Sequence, residues 1–121
     1  MGLNTHQKGY RGLCKATDLM VKNGMDYIRW PHSRFQKDFW GFGDVFGFDA
    51  FGTGWFAQVK NTKDKPSKAD LEAFKQAVLS RPIDITKHSL FIWFPTRQKP
   101  VIWKIIDSEL TIVNEKEAFN V

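Results

Sequence analysis

Within GDVFGFDAFGTGWFAQVKN (43–61), the residues Asp44, Gln58 and Lys60 have side-chain types and spacings that could do chemistry together. On an extended strand, residues two apart share a face, so Gln58 and Lys60 point the same way with Phe56 beside them. A hairpin closing at Gly52-Thr53-Gly54 brings Asp44, at the far end of the first arm, near Lys60. A carboxylate oxygen and an amide carbonyl are hard ligands suited to Mg²⁺, which keeps several waters and completes its shell with phosphate oxygens. A neighbouring ammonium can hold or help deprotonate an attacking water and offset charge building on a phosphate. The same residues also allow a plainer reading, in which Asp44 caps a turn and Lys60 pairs with it on a solvated face. Asp49 stands an odd number of steps from Asp44; with unbroken alternation it projects from the opposite face, outside this cluster.

Other chemistries find less support. His6, His32 and His88 are isolated from one another and from Cys14, so zinc-ligand spacing is absent. No phosphate-binding P-loop, dinucleotide-binding glycine fingerprint or nucleophile elbow occurs.

The elements that must position the hairpin can be read on either side of it. Tyr10, Leu13, Cys14, Met20 and Val21 recur at helical spacing over about 5–23, with Gly24 as a stop and Lys8, Arg11, Lys15 and Lys22 on the opposite face. MDYIRWPHS (25–33) suits a strand stopped by Pro31, and 34–43 a loop rich in aromatic and basic residues. DVFGFDAF (44–51) and WFAQVKN (55–61) form the hairpin arms. After a Lys-rich turn at 61–66, Ser67 and Asp70 have capping-box spacing, and Leu71, Phe74 and Val78 give a second helix its apolar stripe until about Ser80. HSLFIWFP (88–95) and VIWKIID (101–107) are two more strands, and LTIV (110–113) a short edge strand. The order α-β-β-β-α-β-β implies one mixed sheet with helices packed on it, an α/β or α+β sandwich.

A chain of 121 residues fits one domain, and its apolar fraction of 42% is enough for a core. Lys and Arg number 18 against 13 acids, a net charge of +5 that favours a polyanionic partner, nucleic acid first. A single cysteine cannot form an internal disulfide, so a reducing, cytoplasmic setting is expected. No apolar run is long enough to span a bilayer, and no membrane association is expected.

Taken with this order of elements, Gly43-Asp44 and Gln58-Val59-Lys60 make the chain resemble the PD-(D/E)xK nuclease superfamily, which includes Holliday-junction resolvases and restriction enzymes. DFWGFGDVFGFD…AQVKN looks like the small phage-type members in which Gln replaces the second acid; the resemblance covers roughly residues 5 to 95. It implies an αβββαβ, restriction-endonuclease-like core in a single domain over 1–121. By position, Asp44 would bind Mg²⁺ or Mn²⁺ and Gln58 would be a ligand or hold water. The Val59 carbonyl would add an oxygen, and Lys60 would be the catalytic ammonium. Two departures matter. Gln58 brings no charge, which implies weaker metal binding, and no Glu occurs in 1–24, where many members carry one on the first helix. Gln7 could stand in if helix one approaches the site at that turn, whereas Asp18, the helical acid, lies too far along. Asp38, in the loop before Asp44, is the preferred second carboxylate, though a loop aspartate also caps its own turn.

The resemblance implies a metal-dependent endonuclease hydrolysing phosphodiester bonds of DNA, branched or structured DNA included, in a bacterial, archaeal or phage-infected cell. Homodimers are common among resolvase-like members, and RNA stays open as a substrate. Lys8, Arg11, Arg34, Lys37, Lys63, Lys65 and Lys68 flank the site and would contact phosphates in a salt-sensitive, sequence-independent way. Trp30, Phe35 and Trp40 could stack on bases or fill the core. The alternatives are a nucleic-acid-binding module with a decayed nuclease site and a basic interaction protein with no nucleic-acid role.

Overall fold

The computed structural model describes residues 5–30, 43–80 and 88–120, with side chains from residue 9 onward within them. Helix α1 (Thr5–Lys22) leads into strand β1 (Met25–Arg29), then β2 (Val45–Asp49) and β3 (Gly54–Lys60). Helix α2 (Lys68–Leu79), strands β4 (Ser89–Trp93), β5 (Val101–Ile106) and β6 (Glu109–Val113), and a short α3 (Glu115–Ala118) follow.

Among the described residues the six strands form one sheet in chain order, β1 to β6. Strands β1, β2 and β3 are antiparallel neighbours, β3 and β4 are parallel, and β4, β5 and β6 are antiparallel again. A parallel pair needs a crossover rather than a tight turn, and α2 lies in that connection. The sheet is open and mixed with helices packed on it, an α+β arrangement.

The two faces of the sheet are buried by different helices. Ala16, Leu19 and Met20 of α1 pack with Val45, Trp55, Ala57, Leu90 and Ile92. Phe74 and Val78 of α2 pack on the other side with Phe56, Phe91, Trp103 and Ile105. Along β3 the alternation is therefore explicit: Trp55, Ala57 and Val59 belong to the α1 side, and Phe56 to the α2 side. Strand β4, covered on both faces, is buried from Ser89 to Ile92.

Local chemistry sets the element ends. Gly24 takes φ +100° just past α1, a conformation favourable only to glycine, and its N–H returns to the Val21 carbonyl. In the β2–β3 hairpin, Asp49 accepts the backbone N–H groups of Phe51 (2.9 Å) and Thr53 (3.0 Å) and the Trp55 indole N–H (3.1 Å). Desolvation opposes ionisation of Asp49, but these bonds outweigh it and hold the carboxyl below its ordinary range. Asp49 is thus a turn residue.

Several expectations need correction. Tyr10 and Val21, expected on the buried stripe of α1, are 57% and 54% exposed. The stripe instead runs through Gly12, Ala16, Leu19 and Met20, because small residues let α1 lie against β3. A Cβ on Gly12 would come within 2.9 Å of Asn61 Cβ and 3.3 Å of Val59 Cγ1. Asp44 precedes β2 rather than opening it. Helix α3, not anticipated, starts with a capping box between Asn114 and Glu117. No helix among the described residues is long and apolar enough to cross a membrane.

Candidate active site

The site forms where β2 parts from β3. Their register ends at Val45↔Ala57, after which the Asp44 backbone N–H still donates to the Ala57 carbonyl at 2.8 Å. The next rung is made by a side chain: Asp44 Oδ2 accepts the Val59 N–H at 2.8 Å. A strand residue directs its N–H and C=O to the same edge, so the Val59 carbonyl faces this edge too. The Asp44 carboxylate is thereby fastened beside the end of β3.

Gln58 sits between them in sequence and carries the unusual atom of the site. Its side-chain Oε1 is buried and receives no hydrogen bond among the described residues. A buried acceptor without a donor costs about 1–3 kcal/mol, so such atoms in folded proteins are commonly met by water, an ion or a ligand.

Lys60 follows the alternation toward the α2 side. Its Nζ lies 2.9 Å from Asp70 Oδ2, so the ion pair forms with Asp70 where the plainer sequence reading offered Asp44. Asp70 is the third residue of α2 and completes the Ser67 capping box: its N–H donates to Ser67 Oγ at 3.1 Å, and its Oδ2 accepts the Ser67 N–H at 3.4 Å. The hydrogen bond from Lys60, aided by its charge and by Ser67, holds the Asp70 carboxyl below its ordinary range against desolvation.

Asp44, Gln58, Val59 and Lys60 all line one pocket of about 760 Å³, walled on the other side by Gly9, Tyr10, Gly12 and Leu13 of α1 and continued by Asn61 and Thr62. Sequence reasoning brought helix one to the site through Gln7, Lys8 and Arg11 but did not name Gly9, Tyr10, Gly12 and Leu13 as the wall, and it missed Asp70 and Lys15 as site neighbours. Lys15 Nζ donates to Asn61 Oδ1 at 3.1 Å, which sets a second ammonium at the rim. The small side chains at 9 and 12 were the available signal for the wall; the reach of Asp70 depends on the loop between β3 and α2 and had none.

The remaining candidates fall into three groups. Arg11, Lys63, Lys65 and Lys68 are exposed; the three lysines follow directly on Thr62, so the chain leaving the pocket is basic. Lys8 lies in α1, but its side chain, like that of Gln7, is outside the described residues, as are Arg34, Phe35, Lys37, Asp38 and Trp40. Asp18 is exposed on α1 and does not line the pocket. Trp30 packs against the α1-side core and donates its indole N–H to Thr17 Oγ1 at 3.0 Å.

The donors fit a hard divalent cation such as Mg²⁺. They are oxygens of a carboxylate, an amide and a backbone carbonyl, and the buried amide oxygen has no hydrogen-bond donor among the described residues. Among the described residues no group of three or more His, Cys, Asp or Glu side chains gathers at any point. A cation here would rest on neutral oxygens as much as on charge. Compared with protein-family models, with curated proteins and with solved structures, the chain matches none.

Proposed function

We propose that the protein is a divalent-metal-dependent endonuclease that hydrolyses phosphodiester bonds of DNA, branched or structured DNA included. The observation that carries this reading is the meeting of Asp44, Gln58, Val59 and Lys60 at one pocket, with a buried Gln58 oxygen that lacks a donor. The succession of α1, the antiparallel β1–β3, α2 and a β4 parallel to β3 supports it, because this is the αβββαβ order that the resemblance to PD-(D/E)xK nucleases implies.

Asp44, Gln58 and the Val59 carbonyl would hold Mg²⁺ or Mn²⁺. When bound, such an ion polarises a phosphate and makes water a better nucleophile. The chain's own part is positional and electrostatic. The Val59 N–H keeps the Asp44 carboxylate in place before substrate arrives, so little reorganisation is needed. Lys60 offers its ammonium at the pocket edge, where it orients the attacking water and offsets charge growing on the phosphate oxygens. Lys15, Arg11 and the lysines after Thr62 hold the flanking phosphates.

The test is cleavage of plasmid and four-way-junction DNA with Mg²⁺ or Mn²⁺ by the wild type, Lys60→Ala and Asp44→Asn. Metal-dependent cutting lost in both variants supports the reading; equal cutting by Lys60→Ala removes the mechanism.

A second reading, a DNA- or RNA-binding module whose nuclease site has decayed, draws on two observations. Gln58 is neutral where an acid is usual, and Lys60 is already committed to Asp70. Calorimetric titration with Mg²⁺ and Mn²⁺ separates the two. Binding that disappears in Asp44→Asn favours the enzyme, whereas salt-sensitive DNA binding without metal binding favours the module.

A further inference from the structure

The α1 wall of the pocket contains a feature the metal-site residues do not need. Gly12 has a packing reason, since a Cβ there would meet Asn61 at 2.9 Å; at Gly9 a Cβ would meet nothing within 4 Å among the described residues. Glycine is among the poorest helix formers, so an exposed helical glycine with open space around it leaves stability unused. Gly9 lines the same pocket as Gln58, whose buried side-chain oxygen has no donor among the described residues.

Beside Gly9, Tyr10 lines the same pocket and is 57% exposed. Its ring is held: Trp30 meets it edge-on, with centroids 5.7 Å apart and planes at 85°, and the Trp30 indole is itself tied to Thr17. An aromatic ring braced on one side and largely exposed, lining the same pocket as Asp44 and Lys60, has the makings of a stacking platform.

We propose that Gly9 and Tyr10 form a nucleoside seat: the Tyr10 ring stacks on an unpaired base next to the phosphodiester held at Asp44 and Lys60, and the bare backbone at Gly9 admits its sugar. This deepens the nuclease reading and rests on it, naming the substrate as nucleic acid with an unpaired nucleotide at the site of cutting. Bases inside an intact duplex already stack on both neighbours and cannot offer a face to Tyr10 without being extruded. The seat therefore selects flaps, bulges and junction points over continuous duplex.

The experiment uses the full chain with two DNAs of one sequence, one fully paired and one carrying a single unpaired 2-aminopurine. Binding is read by fluorescence anisotropy without added metal, and stacking by 2-aminopurine emission. The wild type is expected to prefer the unpaired DNA by roughly tenfold or more, the scale of one base–aromatic contact, and to quench the probe. Tyr10→Ala loses both the quenching and the preference, and Tyr10→Phe restores them. Gly9→Leu loses the preference while its thermal midpoint holds or rises, which separates a filled seat from a damaged fold. Quenching and preference that persist in Tyr10→Ala, or a wild type that binds both DNAs alike while cutting plasmid with Mg²⁺, overturn the seat and leave the nuclease reading intact. A wild type that binds neither DNA and cuts none overturns both.

Discussion

Lys60 Nζ and Asp70 Oδ2 lie 2.9 Å apart, and that oxygen also accepts the Ser67 backbone N–H at 3.4 Å. One carboxylate oxygen thus caps α2 and anchors the ammonium of the candidate site. The start of the crossover helix and the end of β3 are joined at the point where chemistry is proposed.

If Asp70 positions Lys60, its loss should act on rate more than on folding. Asp70→Asn keeps an acceptor for Ser67 but removes the charge that holds the ammonium. Metal-dependent DNA cleavage is expected to fall by about tenfold or more, because small misplacements of a reacting group are costly. Stability should change by no more than about 1 kcal/mol, since both partners are partly exposed. Single-turnover cleavage and urea unfolding measured side by side check the split; unchanged cleavage contradicts it.

The same pair gives a pH dependence of defined sign. The Asp70 carboxyl of the folded chain binds its proton less readily than at the ordinary value of 3.8. The unfolded state therefore binds more protons as pH drops, and stability falls with it. The contribution of the pair is intact above that ordinary value and is lost as pH falls through the lower folded one. The stability difference between wild type and Lys60→Met should accordingly be constant near neutrality and shrink in acid, as read by urea midpoints across pH 2–6.

Two glycines on one helix should respond oppositely to the same substitution. Gly12→Ala sets a methyl group against Asn61 and Val59 and is expected to destabilise the fold by about 1–3 kcal/mol. Gly9→Ala meets nothing within 4 Å among the described residues and should stabilise it by about 0.5–1 kcal/mol. Chemical denaturation of the two variants decides; equal effects would contradict the close approach of α1 to β3.

Asp49 and Asp44, five residues apart, should separate cleanly. Asp49→Ala removes the acceptor for Phe51, Thr53 and Trp55 and is expected to lower the thermal midpoint and alter Trp55 fluorescence. Mn²⁺ affinity should be unaffected. Asp44→Asn should do the reverse, with the larger loss in metal binding.

The hairpin was legible because its determinants are local. Glycines mark the turn, alternation assigns the faces of β3, and Asp49, held in the hairpin turn, is not among the residues that line the pocket. The Ser67–Asp70 capping box was equally legible from spacing alone. What failed was phase and distance. Tyr10 and Val21 match a helical apolar period, yet the buried stripe is set by which residues are small enough to meet the sheet, a property of the partner surface. Asn114 and Glu117 have capping spacing like that of Ser67 and Asp70, but no long apolar stripe follows to draw attention to α3. The turn between β5 and β6 is built from Asp107 and Ser108 at φ +51° and +65°, positions where glycine or asparagine would have announced it. Neither the Lys60–Asp70 contact nor the undonated Gln58 oxygen could be read in advance, since both depend on how strands and loops close in space.

The central claim is that Asp44, Gln58 and Val59 present their oxygens to one divalent cation. A crystal soaked in Mn²⁺ and measured at its absorption edge tests this directly. An anomalous peak in contact with the Asp44 carboxylate, Gln58 Oε1 and the Val59 carbonyl is expected. A pocket without such a peak, with Gln58 Oε1 satisfied by a protein donor instead, would contradict it.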